Sequence, residues 1–225
     1  MVDRLDSKCL ILFDYDGVLV DSLPFNLSVV AEVLSLLGYK DFPSVDYCKI
    51  ADCISLEEWA RRIDMAETHL EPFVSQTHQH FTAGAPGLPL FEGVLQLLES
   101  LSAEHQLGVI TGNISSAARE FLSKHGVAHH FSEIVGVETL GTKSEKISKF
   151  AARLGYPLDR VFYVGDAGTD VQQGKAAGVR TVAVTWGFQG RERLLREAPD
   201  HLVDSVAELG NIFLPRNRVE HTAFF

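Results

Sequence analysis

The chain has too few cysteines for disulfide chemistry. Its three cysteines are Cys9, Cys48 and Cys53. An odd count with no CxxC spacing argues against a disulfide framework or a thiolate zinc site and reads as reduced cytosolic thiols. Positive charge is also short, with 20 Lys and Arg against 30 Asp and Glu, a formal net charge of −10. That balance disfavours nucleic acid or an anionic membrane as the main partner, because both need a basic face. A small anionic substrate stays compatible if the site carries local positive charge, such as a metal ion. Long hydrophobic runs are missing too: no stretch reaches the ~18–20 apolar residues of a membrane span. Leu10–Phe13 is too short for the apolar region of a signal peptide, and Asp14 interrupts it. Together these absences predict a cytoplasmic protein with no membrane or nucleic-acid partner. Internal repeats and low-complexity segments are absent, and Arg216–Phe225 has no pattern and reads as a loose tail.

What is present is organised around Cys9–Ser22, CLILFDYDGVLVDS. A short apolar run ends abruptly in Asp14 and Asp16, followed by Gly17. A run of that length bounded by a turn signal fits a strand buried on both faces, as in a parallel sheet. Open parallel sheets bind ligands just beyond the carboxyl ends of their strands, so both carboxylates should stand at the mouth of a site. An acidic Asp-Gly turn is the plainer alternative on these residues alone.

Residues 23–83 read as helical. Leu27, Val30, Ala31, Leu34 and Leu37 recur at helical spacing, and Gly38 is a stop signal. Further helices are expected over Leu56–Met65 and Ala66–Phe81. After the hinge-like Gly84–Pro89 the pattern changes. Helices are expected at Val94–Ser102, Ile114–His125, Ser144–Leu154, Gln172–Ala177 and Glu192–Glu197. Strands are expected at Leu107–Ile110, Ile134–Val137, Val161–Val164, Thr181–Val184 and His201–Val203. Such alternation means crossover units and a parallel sheet with helices on both faces. The expected fold is therefore α/β: a Rossmann-like core over 1–21 and 85–225, with an inserted all-helical cap domain over 22–84.

Polar residues follow each of the central strands. Thr111-Gly112-Asn113 offers a hydroxyl and backbone N–H groups at a helix start, which is either an anion site or an N-cap. Lys143 stands just before a helix, an unfavourable place for a cation unless it has other work, and Lys146 is one turn further on. Val161–Val164 runs into Gly165-Asp166 and then Asp170, a second strand ending in carboxylates.

Taken jointly, DYDGVLVDS, ITGN, GTKSEK and VGDAGTD resemble the four motifs of the haloacid dehalogenase-like hydrolase superfamily. The helical insertion is similar to the cap of its phosphoglycolate phosphatase-like and β-phosphoglucomutase-like branch. The resemblance implies a phosphatase acting on a small phosphorylated metabolite, with phosphoglycolate as the default substrate. It implies Asp14 as nucleophile forming an aspartyl-phosphate and Asp16 as acid and base. Thr111, Gly112 and Asn113 would hold the phosphoryl oxygens. Lys143, or Lys146 in its place, would neutralise charge. Mg²⁺ would be held by the Asp14 carboxylate, the Asp16 backbone carbonyl and Asp166, with Asp170 acting through water or orienting the others. A phosphomutase of the β-phosphoglucomutase type and a non-catalytic binding protein on the same fold are the alternatives. Oligomeric state is not legible.

Overall fold

A computed structural model describes residues 8–39, 56–84 and 87–214. Cys48, Cys53, part of the Gly84–Pro89 hinge and the C-terminal tail lie outside them. Among the described residues, the first strand, β1 (Leu10–Phe13), is followed by three helices: α1 (Leu23–Leu36), α2 (Leu56–Arg62) and α3 (Glu67–Gly84). The chain then alternates through α4 (Val94–Glu104), β2 (Gln106–Ile110), α5 (Ser115–Lys124), β3 (Phe131–Val135), α6 (Lys143–Leu154) and β4 (Val161–Gly165). It closes with α7 (Gly168–Ala176), β5 (Arg180–Val184), α8 (Arg191–Arg196), β6 (His201–Val203) and α9 (Val206–Phe213).

The six strands form one sheet in the order β3-β2-β1-β4-β5-β6, and every neighbouring pair is parallel. β1 lies inside, between β2 and β4, and all four of its residues are fully buried. That is why an unbroken apolar run forms this strand: side chains alternate between faces, and here both faces are covered. Ile11 and Phe13 join Val109, Phe162 and Val164 under α4, α5 and α9. Leu10 and Leu12 join Ile110 and Tyr163 under Ile147 and Phe150 of α6. The fold is the expected α/β Rossmann-like arrangement.

The helices over 23–84 have an apolar cluster of their own, with Val29, Val30, Val33 and Leu34 packed against Ala60, Met65, Leu70 and Phe73. The chain leaves and rejoins the sheet layer along one path: Asp21 N–H donates to Pro89 C=O (3.0 Å) and Phe91 N–H to Leu19 C=O (3.0 Å). Because residues 14–22 follow the carboxyl end of β1, this insertion hangs from the end of the sheet where ligands are expected. Among the described residues, no helix is long and apolar enough to cross a membrane.

Several expectations shift. Helix α2 stops at Arg62 rather than Met65, and α3 runs on to Gly84 rather than Phe81. The buried stripe of α1 is Asn26, Val29, Val30, Val33 and Leu34. It keeps the helical period but excludes Ala31, which is exposed, and leaves Leu27 only half-buried. Strand β3 begins at Phe131, three residues before the expected Ile134, and stops before Val137. At Gly136 the chain passes so close to α5 that a Cβ would lie 2.3 Å from the Ser115 nitrogen. Helix α7 starts at Gly168 rather than Gln172, because Asp170 accepts the Ala167 N–H at 3.2 Å and so caps the helix from its first turn.

Candidate active site

Asp14 is the first residue past β1. Its N–H still pairs with Val164 C=O at 2.8 Å, so β4 fixes its backbone. Its side chain is fixed at both oxygens. Oδ1 accepts the Tyr15 N–H at 2.8 Å, and Oδ2 accepts Lys143 Nζ at 2.7 Å. Lys143 is the first residue of α6. A capping box between Thr142 and Glu145 satisfies that helix start without it. The lysine is therefore free to turn inward, and its Nζ also donates to Asp170 Oδ1 at 2.7 Å.

Asp166 enters from the carboxyl end of β4. Its Oδ2 accepts the Phe188 N–H at 2.6 Å. Two glycines make room for it. A Cβ on Gly17 would sit 2.0 Å from Asp166 Oδ2, and one on Gly187 would sit 2.3 Å from the same atom. Gly17 also adopts φ +73°, a conformation that L side chains rarely take. The Asp-Gly pair that opens the chain's central motif is thus needed for close approach as well as for a turn.

Carboxylate oxygens of Asp14, Asp166 and Asp170 all lie within 4.8 Å of one another. Asp166 and Asp170 are almost wholly buried, and Asp14 is 9% exposed. Burial pushes the Asp14 carboxyl up from 3.8 to about 7; the Lys143 ammonium works against this and Asp170 adds to it. Asp166 is raised well above the usual carboxylate range, first by burial and then by the neighbouring Asp170 and Asp14. Burial opposes the charge on Lys143, but the facing carboxylates of Asp14 and Asp170 win and lift it well above the usual lysine range. The cluster therefore sets three carboxyl groups against one lysine, and burial favours protons on two of them.

Asp16 stands apart from this group. Its Oδ2 accepts the Asn113 side-chain amide at 2.5 Å. Burial raises its pKa, against the opposing pull of hydrogen-bond donors and of Lys143. Asn113 N–H closes onto Thr111 Oγ1 at 3.0 Å, while Thr111 N–H continues the sheet to Val135 C=O at 2.9 Å. Thr111-Gly112-Asn113 is thus a tight turn beside Asp16. The structure brings Asp14, Asp16, Thr111, Gly112, Asn113, Lys143, Asp166 and Asp170 together at one end of the sheet. It also separates the two lysines. Lys146 is buried and donates to Gly136 C=O at 3.0 Å, whereas Lys143 faces Asp14.

Sequence reading passed over two contributors. The Thr185–Gly190 loop after β5, TWGFQG, supplies Gly187 and the Phe188 N–H to Asp166. Its Gln189 accepts the Gly168 N–H at 2.7 Å, which holds the start of α7. Its position after a strand was the available signal. Tyr163 is the other: it lies within an apolar run, yet its hydroxyl donates to Asp170 Oδ1 at 3.3 Å.

Known proteins resemble this chain along most of its length. A phosphoglycolate phosphatase from Synechococcus elongatus is 31% identical over 205 residues, spanning 88% of this chain and 94% of that protein. The tyrosine-protein kinase PtkA of Mycobacterium tuberculosis is 29% identical over 211 residues, spanning 92% of this chain and 72% of the kinase. A haloacid dehalogenase-like hydrolase from Streptococcus pneumoniae shares the fold with a TM-score of 0.79 at 22% identity, over 91% of this chain and 98% of its own. The family model described as haloacid dehalogenase-like hydrolase matches residues 11–184. That match runs from the second residue of β1 to the last of β5 and takes in every strand end that carries a carboxylate or lysine of the site, so the chain belongs to the haloacid dehalogenase-like hydrolase family.

Proposed function

We propose that this chain is a Mg²⁺-dependent phosphatase that hydrolyses a small phosphorylated metabolite, phosphoglycolate or a close analogue, through an aspartyl-phosphate on Asp14. One observation carries the reading: three buried carboxylates lie within 4.8 Å of one another, two of them paired with a single lysine, and a fourth, Asp16, is held apart on Asn113. Hard oxygen donors in surplus over positive charge suit Mg²⁺, which retains several waters and needs few protein ligands. Asp14, Asp166 and Asp170 would hold it, with the Asp16 backbone carbonyl as the family resemblance implies. Bound there, it would neutralise the carboxylates and the incoming phosphate.

The side chains then divide the work. Asp14, pinned by Tyr15 N–H and Lys143, attacks phosphorus and forms the new P–O bond while the ester P–O bond breaks. Asp16 gives its proton to the departing alkoxide, then takes one from the water that cleaves the aspartyl-phosphate. Its raised pKa suits the first of these steps. Thr111 Oγ–H and the Gly112 N–H, which has no acceptor among the described residues, would hold phosphoryl oxygens. Lys143 offsets the charge that builds on them. Asn113 fixes Thr111 with its backbone N–H and Asp16 with one amide hydrogen, and its second amide hydrogen would hold a phosphoryl oxygen. Residues 22–84 serve as a cap over the core formed by 1–21 and 85–225. Their separate apolar cluster and the antiparallel bridge between residues 19–21 and 89–91 support that division. Cytoplasmic location fits the cysteine and charge content.

Purified protein is expected to hydrolyse p-nitrophenyl phosphate with Mg²⁺ and to lose that activity in EDTA. Within a panel of phosphorylated metabolites, phosphoglycolate should be among the best substrates. Full activity after metal stripping would contradict the metal assignment, and indifference to phosphoglycolate would contradict the substrate.

A second outcome needs no turnover. Asp14 titrates near 7 when folded against 3.8 for an ordinary carboxyl, so the metal-free native state holds protons that the unfolded chain has released. Its contribution to stability is complete below about pH 4 and is lost as pH rises through about 7. A bound cation replaces those protons. Mg²⁺ is therefore expected to raise the melting temperature of EDTA-treated protein more at pH 8 than at pH 6, and to raise it little in Asp166→Asn. Melting curves with and without Mg²⁺ check this; an equal rise at both pH values would contradict it.

A further inference from the structure

Tyr163 is an odd residue for its place. It lies in the middle of β4 on the face covered by α6, in an apolar cluster with Leu10, Leu12, Ile147 and Phe150, and is 1% exposed. A phenylalanine would fill the same volume there. Burying a hydroxyl without a partner costs about 1–3 kcal/mol, so the oxygen has to be matched, and its acceptor is Asp170 Oδ1 at 3.3 Å. The same oxygen receives Lys143 Nζ at 2.7 Å, and Asp170 Oδ2 receives the Ala167 N–H at 3.2 Å. The Lys143 ammonium also lies 5.9 Å from the centre of the Tyr163 ring. The phenol thus meets the acid of the ion pair through its hydroxyl and faces the base with its ring.

We infer that Tyr163 is a positioning residue for the cation site: its hydroxyl holds the Asp170 carboxylate in the rotamer that faces Asp14 and Asp166, and its ring seats Lys143 against both. This rests on the reading of the carboxylate trio as a Mg²⁺ site. Hydrogen-bond partners behind metal ligands typically matter by 10–100-fold in affinity. Three donors hold Asp170, and removing one leaves Lys143 and Ala167 in place, so the low end of that range applies. The ring stays in Tyr163→Phe, so the seat under Lys143 survives and only the hydrogen bond is lost.

The test is direct Mg²⁺ binding to metal-free protein by titration calorimetry, with wild type measured first. If wild type binds no Mg²⁺, the metal reading itself fails. If it binds, Tyr163→Phe should weaken the affinity about tenfold. KM for p-nitrophenyl phosphate at saturating Mg²⁺ should stay near the wild-type value. In an Asp170→Asn background the same change should have no further effect, because the hydroxyl acts through that carboxylate. A phenol that merely satisfies itself in the core would lower the melting temperature of both backgrounds and leave wild-type Mg²⁺ affinity unchanged, and that result overturns the proposal. Equal weakening in both backgrounds overturns it as well. Should Tyr163→Phe not fold, 3-fluorotyrosine at this position keeps the ring and makes the hydroxyl a stronger donor. Tighter Mg²⁺ binding would then support the role, and unchanged or weaker binding would overturn it.

Discussion

Asp14→Asn is expected to lower kcat for phosphate monoesters on the order of 10⁶-fold, the scale seen when a covalent nucleophile is removed from its supporting groups. The structure explains why so small a change should be so costly while the fold survives. The carboxylate serves two donors at once, Tyr15 N–H on Oδ1 and Lys143 Nζ on Oδ2. An amide has one carbonyl oxygen and can serve only one of them. Lys143 keeps Asp170 as its partner, so no bare charge is left buried. What is lost is the anionic oxygen that attacks phosphorus, together with one donor to the cation. Steady-state turnover of the variant, with deamidation excluded by mass spectrometry, is the check. Turnover within tenfold of wild type would remove Asp14 from the nucleophile's role.

Asp16→Asn should separate substrates instead of abolishing them equally. An alkyl phosphate leaves as a strongly basic alkoxide and needs a proton in the transition state, whereas p-nitrophenolate departs without one. General acid help is typically worth about 10²–10⁴-fold, or about 3–5 kcal/mol of barrier. The variant should therefore form the aspartyl-phosphate more slowly by that factor from alkyl phosphates than from p-nitrophenyl phosphate. Breakdown should slow for both, because the same side chain activates water. Burial holds the Asp16 pKa up, which keeps a proton available, and Asn113 fixes the group to one side of the carboxylate trio. Single-turnover burst kinetics with both substrates decide the matter. Equal slowing of the first step would leave Asp16 as a structural group.

The parts of this arrangement that were legible in the sequence are those where burial and charge collide. β1 and β4 announce themselves as apolar runs cut off by carboxylates, because a strand covered on both faces cannot carry polar residues until it emerges from the sheet. Asp14, Asp16, Asp166 and Asp170 follow from those cut-offs. Lys143 and Lys146 are less distinguishable. Both lie in the first turn of one helix, and only the fold shows that Gly136 C=O takes Lys146 while Asp14 and Asp170 take Lys143. The TWGFQG loop was illegible for another reason. Gly187 acts by lacking a Cβ and Phe188 through its backbone N–H, and neither announces chemistry in a side chain. Tyr163 looks like one more core residue until Asp170 is placed beside it. The start of β3 was misplaced because Ser132 and Glu133 break its apolar pattern after Phe131, and the α1 stripe because two overlapping faces have the same period.

The central claim is that Asp14 carries the phosphoryl group. It is tested most directly by mixing the Asp16→Asn protein with p-nitrophenyl phosphate and Mg²⁺, quenching in acid within the burst, and mapping peptides by mass spectrometry. The account predicts that the peptide containing Asp14 gains the mass of one phosphoryl group, that fragmentation places it on Asp14, and that EDTA prevents its appearance. Release of p-nitrophenol with that peptide unmodified, or with the phosphoryl group on another residue, would contradict it.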